Sequence, residues 1–466
     1  PTVSARPFPP DEDSAAPSAS TFTQPTDGEE DIPLRSRYEA IRDCTLRRYK
    51  QEEKHNPIQQ SPLGQILART PLWESRLALA NWPLMDEAED LDLGNFSFPI
   101  SPYTPVADDG VQRFLLLSNS SIIANFRQWD YLERAHRRMF DRAVWAMDSG
   151  RTGVATVEFD RGLTDQKVDY MVRMLAGYGV KTIIWGNEPN SPYAPWRDNL
   201  PDLFAIFSAA ANARRQHALS DLELAMPGLA YFGQGEYLQK MVRTFKELQK
   251  KSGAPSWAGE IPADRIVDHY YGPVDDFLPR IKMMRDIMSK EGVGKLKYDL
   301  MEVGNPTMDS SQQPASDEQM AECHIPQVAG LAVGSGLVDR FCYYSLLGSN
   351  WEDSITVVND GRILRRPPYQ AFVNMARLLA RLDRAILTDA NDMVRLEGAR
   401  SDGIDFTVLW SKVTDRELQV AVTKGKRVFT ALGQEVKGER PDQVVLAPKQ
   451  HPLLAGPARI LIAGGS

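Results

Sequence analysis

Two glutamates follow apolar runs that have the composition of buried strands. Glu188 ends the run KTIIWGNE, and Glu302 ends the run KYDLME. A carboxylate placed directly after a buried strand is held by a rigid element and faces loops that are free to bind a ligand. Two such carboxylates can supply the proton and the nucleophile that cleave a glycosidic bond with retention of configuration. The pair therefore predicts glycosidase chemistry.

The two glutamates would have different roles in that chemistry. Glu188 would protonate the leaving oxygen and later activate water, and Glu302 would attack the anomeric carbon. A nearby anionic Glu302 is expected to disfavour the ionisation of Glu188 by like-charge repulsion. Two strands of one barrel can hold the carboxyl groups about 5–5.5 Å apart, which is the separation that retention requires.

Residues near the two glutamates are candidates for binding a sugar. Asn187 could donate its amide N–H to a sugar hydroxyl, or it could form the turn before Pro189. Aromatic rings suit the axial C–H bonds of sugars, so several tryptophans are stacking candidates, although the one inside the first run equally suits the core. They are Trp185, Trp196, Trp257 and Trp351.

The run DHYY at residues 268–271 supplies further polar side chains within another predicted strand. Residues alternate faces along a strand, so one of Tyr270 and Tyr271 packs in the core and the other faces the site. Tyr271 is the favoured donor to Glu302. His269 could position a substrate hydroxyl, or it could be a satisfied structural histidine.

Alternating strand and helix patterns must position these residues. From about residue 111, helical patterns separate short apolar runs, which indicates a parallel sheet. Both glutamates then lie at the carboxyl ends of their strands, where barrel enzymes place their chemistry. An open doubly wound sheet obeys a similar rule, but its first crossover would need a Gly-rich nucleotide turn that is missing here. The predicted fold is a (β/α)₈ TIM barrel.

The composition along the chain predicts four regions. Residues 1–33 form an acidic, Pro- and Ser-rich disordered tail. Residues 34–110 form a helix and an irregular segment packed on the barrel or on the β-rich part. Residues 111–384 form the catalytic barrel, although the patterns do not locate its first two strands. Residues 385–466 contain short β runs and form a sandwich-like antiparallel accessory domain.

Charge and motif content exclude several classes of function. The 466 residues carry a net charge of −8, and the first 33 contain seven acidic side chains against Arg6 alone. The body lacks the basic face of a nucleic-acid-binding protein, and no apolar run reaches the roughly 20 residues of a membrane span. Zinc, phosphate-loop and serine-elbow motifs are missing, so no metal or cofactor is expected. The three cysteines have the character of buried small hydrophobes: Cys44, Cys323 and Cys342.

These motifs resemble those of the clan A glycoside hydrolases. The run WGNEPN is similar to the Asn-Glu-Pro motif on strand 4 of that clan, and Glu302 in MEVG resembles its strand-7 nucleophile. The pair His269 and Tyr271 resembles the His-x-Tyr pair of strand 6. The β-rich end is similar to the accessory domain of family 39 and related families. Over residues 150–466, the resemblance implies a retaining glycosidase that needs no cofactor.

Part of the clan pattern is missing from the chain. The strand-8 run FCYY lacks the tryptophan that many members have there, and Trp351 can substitute from the following loop. Arg127 is the candidate for the strand-2 arginine. The implied partner is a carbohydrate, such as a β-xyloside, a uronide or an exopolysaccharide, and the implied location is extracellular, periplasmic or at the cell surface. Oligomeric state and exo or endo action are left open.

Two alternatives are compatible with the same residues. The chain could be a non-catalytic barrel that binds carbohydrate through its aromatic residues. It could also be a metal-dependent sugar-converting barrel enzyme that uses Glu188, His269 and Glu302 as ligands.

Overall fold

The computed structural model describes most of the chain after residue 60. Its described residues are 61–70, 77–81, 115–118, 153–157, 165–177, 180–191, 199–231, 233–252, 261–306, 315–344, 356–359, 362–422, 425–437 and 442–463.

Eight parallel strands form a closed barrel in which each strand pairs with the next. The first strand also pairs with the eighth, which closes the sheet. The strands are β1 (Leu77–Asn81), β2 (Leu115–Ser118), β3 (Gly153–Val157), β4 (Val180–Trp185), β5 (Glu223–Leu229), β6 (Arg265–Tyr270), β7 (Lys297–Val303) and β8 (Arg340–Tyr343).

Helices connect the strands from β3 onwards. They are α1 (Pro62–Leu67), which precedes the barrel, then α2 (Asp165–Gly177), α3 (Leu200–Gln216), α4 (Gln234–Ser252), α5 (Val274–Lys290), α6 (Asp317–Gln319), a π-helical turn (Met320–His324), α7 (Ile325–Ser335) and α8 (Pro367–Leu378). The expected TIM-barrel-like parallel sheet is thus confirmed. The segments between β1 and β2 and between β2 and β3 lie outside the described residues, so the full (β/α)₈ alternation stays a prediction.

The barrel begins earlier than its sequence pattern suggests. β1 pairs with β2 and β8 although it precedes residue 111, the predicted start of the barrel. A five-residue apolar strand among prolines carries too short a pattern to identify by itself. Before it, Leu63 and Leu67 of α1 are buried, and the N–H of Leu63 donates to the carbonyl of Gly433 at 3.1 Å. Residues 1–33 lie outside the described part.

Side chains facing the barrel interior from β4 to β8 form layers, as alternation along strands requires. The middle layer is apolar and consists of Ile184, Ala225, Val267, Met301 and Cys342. Outward-facing residues of the same strands, among them Trp185 and Leu300, pack with the helices in the main core.

The layer at the amino ends of the strands is ionic. Arg265 donates to Glu223 at 2.6 Å and to Asp299 at 2.8 Å. Arg340 donates to Glu223 at 2.9 Å and to Thr182 at 2.7 Å. Each charge in this layer has a partner of opposite sign, as burial of charges requires. Polar groups at the amino ends of barrel strands stabilise the fold, whereas active sites lie at the carboxyl ends.

Antiparallel sheets follow the barrel, as expected from the β-rich end. A hairpin of β9 (Thr356–Asn359) and β10 (Arg362–Arg365) precedes α8. A five-stranded sheet then has the order β11-β12-β13-β17-β15, and β14 pairs with β16. These strands are β11 (Leu382–Asp389), β12 (Met393–Arg400), β13 (Asp405–Ser411), β14 (Leu418–Ala421), β15 (Lys426–Thr430), β16 (Gln443–Leu446) and β17 (Arg459–Ala463).

The five-stranded sheet begins where the sequence pattern predicts the end of a helix. The pattern favours one helix over residues 369–382, but α8 ends at Leu378 and Leu382 starts β11. Arg381 has a φ of 52°, a left-handed conformation that reverses the chain direction. Within the described residues, no helix is long and apolar enough to cross a membrane.

Candidate active site

The end of β4 presents Glu188 through an unusual backbone. Gly186 has a φ of 96° and Glu188 a φ of 44°, so the chain turns sharply after the strand. A non-glycine residue in this region is strained, and such strain concentrates at functional sites. The N–H of Glu188 donates to the carbonyl of Gly228 on β5 at 2.7 Å, which holds the turn in place.

The end of β7 presents Glu302 through a β-bulge. Asp268 of β6 pairs with Leu300, but His269 pairs with Glu302, so β7 contains one extra residue at this point. Met301 already faces the interior, and regular alternation would turn the next side chain outward. The bulge instead directs Glu302 inward beside His269, which is a recognised role of bulges next to active sites.

Four side chains from β4, β6 and β7 meet at the carboxyl ends of the strands. His269 Nδ1 lies 3.0 Å from an oxygen of Glu188 and 3.5 Å from an oxygen of Glu302. Tyr271 donates its O–H to the same Glu302 oxygen at 2.8 Å. The Glu188 side chain is 33% exposed and that of Glu302 is 7% exposed, so Glu188 is the more open to a ligand.

Gly228 provides the space that the imidazole occupies. A Cβ on this residue would lie 2.2 Å from Nε2 of His269, which is far inside contact distance. The ring therefore rests against the backbone of β5, and its other nitrogen is directed at the two carboxylates. Close approach of this kind requires glycine.

Mutual charge interactions give the three titratable groups unusual pKa values. Burial lowers the pKa of His269, but the charge of Glu302 and the hydrogen bond and charge of Glu188 outweigh it and raise that pKa to about 9. Burial raises the pKa of Glu188, yet the hydrogen bond and charge of His269 lower it overall. For Glu302, burial dominates and raises the pKa despite the nearby imidazolium.

This order of pKa values corrects the expectation for Glu188. Repulsion by Glu302 would disfavour its ionisation, but the cation on His269 lies closer and favours the carboxylate instead. In the free protein, the proton nearest to Glu188 is therefore held by His269 at neutral pH.

The other predicted site residues are placed as follows. The backbone of Asn187 forms a parallel bridge with Gly228, and its buried Oδ1 accepts no hydrogen bond from the described residues. Tyr270 faces the core and donates to the carbonyl of Pro273 at 2.5 Å, so Tyr271 is the tyrosine that reaches Glu302. Trp185 is buried in the main core. The remaining candidates lie outside the described residues: Arg127, Trp196, Trp257 and Trp351.

Other buried polar residues near the site have no role that the sequence pattern predicts. Asn305, three residues after Glu302, is buried, and within the described part of the chain its Oδ1 accepts no hydrogen bond. Asp268 and Gln234 are also buried and bond the backbone of His269. A charged residue within the apolar run RIVDHY is a signal that could have identified Asp268.

Glu188, His269 and Glu302 are also arranged so that they could hold a metal ion. One ligand-type atom from each lies within 4.8 Å of the others, and no second such group occurs in the described parts of the chain. Two carboxylates and an imidazole suit a borderline cation such as Zn²⁺, provided that the imidazole gives up its proton.

Solved structures share the fold of this chain. No protein-family model and no curated protein matches it. A family 39 glycoside hydrolase from the gut symbiont Bacteroides cellulosilyticus WH2 superposes with a TM-score of 0.56 and 13% identity, over 84% of this chain and 82% of that chain. A monomeric β-xylosidase from Caulobacter crescentus CB15 gives a TM-score of 0.52 and 13% identity, over 84% of this chain and 96% of that chain. The expected likeness to clan A glycosidases is thus found at the level of the fold.

Proposed function

We propose that the chain is a retaining glycoside hydrolase in which Glu302 is the nucleophile and Glu188 the acid and base. The observation that carries the proposal is the close approach of the two carboxylates, whose nearest oxygens lie within 4.8 Å of each other. Retaining enzymes hold these groups about 5–5.5 Å apart, whereas inverting enzymes leave room for a water between them. The likeness to glycosidase structures supports the same class.

The reaction would proceed in two displacements. Glu302 attacks the anomeric carbon and forms a glycosyl ester while Glu188 protonates the departing oxygen. A water then enters, Glu188 removes its proton, and the resulting oxygen attacks the same carbon and releases Glu302. Tyr271 keeps the attacking carboxylate in one rotamer through its O–H at 2.8 Å.

His269 would supply the proton that Glu188 needs. The imidazolium holds a proton on Nδ1, 3.0 Å from the Glu188 oxygen. When a bound sugar displaces water from Glu188, its carboxylate loses stabilisation before the glycosidic bond breaks, and the developing bond from Glu302 to the anomeric carbon weakens the hold of Glu302 on the imidazolium. Proton transfer along this contact then makes Glu188 the acid. A neutral Asn187 beside it is suited to bond a sugar hydroxyl.

The test is hydrolysis of a panel of aryl glycosides and polysaccharides. β-Xylosides come first, since the similar structure from Caulobacter crescentus CB15 is that of a β-xylosidase. We expect activity in the wild type and a loss of about 10³-fold or more in Glu302→Gln. The exposed Glu247→Gln, on the outer face of α4, is the matched control and should keep full activity. Equal activity in Glu302→Gln and the wild type would remove Glu302 from the mechanism. An extracytoplasmic location remains part of this proposal.

A metal-dependent reaction is the second candidate, because the three groups could hold an ion. Hydrolysis measured after removal of metal ions by a chelator distinguishes the carboxylate mechanism from the metal-dependent one. Hydrolysis that persists after treatment with EDTA supports the carboxylate mechanism, and activity that is lost and then restored by one divalent cation supports the metal.

A further inference from the structure

A buried polar cluster lies behind His269, on the outer side of β6. It consists of Asp268, Tyr298 of β7, Gln234 at the start of α4 and Arg280 of α5, and we refer to these four residues as the outer clamp. The surrounding positions belong to the apolar core between the strands and the helices, which includes Phe277. Burying polar groups in such a layer costs stability unless every one is bonded.

The first half of the outer clamp holds the N–H of His269. Asp268 is 1% exposed, and its Oδ1 accepts from this N–H at 3.0 Å. Its Oδ2 accepts from the hydroxyl of Tyr298 at 2.7 Å. Tyr298 is fully buried on the neighbouring strand, so the carboxyl group cannot turn without losing a bond.

The second half holds the carbonyl of His269. Gln234 is fully buried, and its Nε2 donates to this carbonyl at 2.7 Å. Its Oε1 accepts from Nε of Arg280 at 2.6 Å. Arg280 also donates to the carbonyl of Tyr231 and lies over that ring, 4.9 Å from its centroid. The amide of Gln234 is therefore fixed in one orientation.

The outer clamp lies where regular strand pairing ends. Leu229 is the last residue of β5 and pairs with Asp268, so His269 extends one residue beyond it. The bulge in β7 falls at the same level. Side chains therefore bond the two backbone groups of His269 at a point where the sheet is irregular on both sides. Buried backbone groups need partners, and Asp268 and Gln234 supply one to the N–H and one to the carbonyl of His269.

We propose that the outer clamp positions the imidazole of His269 between Glu188 and Glu302, and that Asp268, Tyr298 and Gln234 are positioning residues for protonation of the leaving group. The inference rests on the proposed glycosidase function for its kinetic consequences. Side chains outside the barrel bond both the N–H and the carbonyl of His269. Loss of either bond would therefore let the imidazole move relative to Glu188. A shift of about 1 Å can cost about 100-fold in rate.

Two conservative substitutions remove one bond each. Tyr298→Phe keeps the ring and deletes the hydroxyl that fixes Asp268. Gln234→Glu keeps an acceptor for Arg280 and replaces the donor to the His269 carbonyl by an oxygen. Tyr343→Phe is the matched control, because it also deletes a buried hydroxyl from an outward-facing strand residue, one that contacts His324 instead. Circular dichroism and thermal unfolding check that each variant is folded.

The kinetic readout compares two leaving groups on the sugar that the wild type cleaves. An alkoxide leaving group needs a proton from Glu188, whereas a dinitrophenolate departs without one. We expect Tyr298→Phe and Gln234→Glu to lose about 10- to 100-fold in kcat/KM on the alkyl glycoside and only a few-fold on the dinitrophenyl glycoside. Glu188→Gln should show the same selectivity, and Tyr343→Phe should match the wild type. Equal losses on both substrates, or none, would overturn the positioning role.

A second readout does not depend on activity. Protein labelled with ¹⁵N-histidine contains six imidazoles, and His269→Gln identifies the resonances of this one. We expect them to shift in Tyr298→Phe and in Gln234→Glu, and to stay in place in Tyr343→Phe. Unmoved resonances would contradict the proposal. If the wild type cleaves no glycoside but the resonances shift, the proposed function fails while the positioning of His269 stands.

Discussion

His269 determines the charge balance of the candidate site. Its imidazole lies within hydrogen-bonding distance of Glu188 and near Glu302, so one cation serves two carboxylates. The contact with His269 lowers the pKa of Glu188 and so favours its carboxylate form in the absence of a ligand. Tyr271, two residues later on the same face, holds the other carboxylate. The protonation state of Glu188 and the orientation of Glu302 therefore depend on His269 and Tyr271 as well as on the glutamates themselves.

The raised pKa of His269 predicts how stability depends on pH. Its folded pKa of about 9 exceeds its ordinary value of 6.5, so its contribution is fully present below pH 6.5 and is lost as the pH rises through 9. For the difference between those values, the loss is on the order of 3 kcal/mol. Chemical denaturation of the wild type from pH 6 to 10 should show a decline in the free energy of unfolding over this window.

The matched variant for this pH series is His269→Gln, which cannot take up the proton. Its free energy of unfolding should change much less between pH 6.5 and 9 than that of the wild type. Parallel curves for the two proteins would mean that the imidazole carries no proton linked to folding.

At the scale of elements, the ends of β4, β5 and β7 all depart from regular strand geometry. β4 ends in a left-handed turn at Glu188. β5 shifts register between Ala225 and Gly228, and β7 contains the bulge before Glu302. Each departure brings a side chain or a backbone group towards His269. The irregular layer lies above a regular apolar layer, which keeps the strand ends rigid.

Gly228 offers a direct test of this arrangement. In Gly228→Ala, the new Cβ would lie 2.2 Å from Nε2 of His269, so the imidazole must move. We expect kcat/KM to fall by about 10- to 100-fold and stability by about 1–3 kcal/mol. Steady-state kinetics and thermal unfolding measure the two effects.

Gly336→Ala is the control for the glycine substitution. Gly336 has a φ of 65°, and a Cβ added there would have no heavy atom of the described residues within 4 Å, so alanine strains only the backbone. It should cost about 1 kcal/mol of stability and leave kcat/KM unchanged. Wild-type activity in Gly228→Ala would show that the ring has room to move without loss of function.

At the scale of the whole molecule, the barrel and the five-stranded sheet share one core. Gly334 of α7 would place a Cβ 2.7 Å from Leu396 of β12, which shows how closely helix and sheet approach. The N–H of Ala458 donates to the carbonyl of Glu322 in the π-helical turn at 2.8 Å. Gln327 donates to the carbonyl of Gly456 at 2.7 Å. Buried bonds of this kind couple the two parts.

This shared core predicts that the barrel does not fold without the sheets. A chain ending at Arg381 would expose the apolar face of α7 that now packs against Leu396 of β12 and Trp410 of β13, so we expect it to be insoluble or unfolded. The intact protein should unfold in one calorimetric transition. Two separated transitions, or a soluble folded barrel from the shortened chain, would contradict the coupling.

An exposed ion pair between the same two parts provides the control. Lys449 and Asp275 lie 2.9 Å apart, and surface pairs contribute less than about 1 kcal/mol. Lys449→Ala should therefore keep the single transition at nearly the wild-type temperature.

Local patterns in the sequence located the runs that form β4, β6, β7 and β8, and the two glutamates at the ends of β4 and β7. Periods of 2 and 3.6 encode which faces are buried, so they locate β6 and β7 and favour Tyr271 over Tyr270 without knowledge of the fold. They also indicated the antiparallel strands near the end of the chain. Each pattern describes a single strand or helix and does not show how that element packs against the others.

The tertiary structure alone decided how those residues meet. The place of β1 follows from its pairing with β8, more than 250 residues later, and the inward turn of Glu302 follows from a bulge that alternation does not show. The charge on His269, and hence the state of Glu188, depends on distances across three strands. Pairing, register and electrostatics join residues far apart in the chain, so only the folded arrangement determines them.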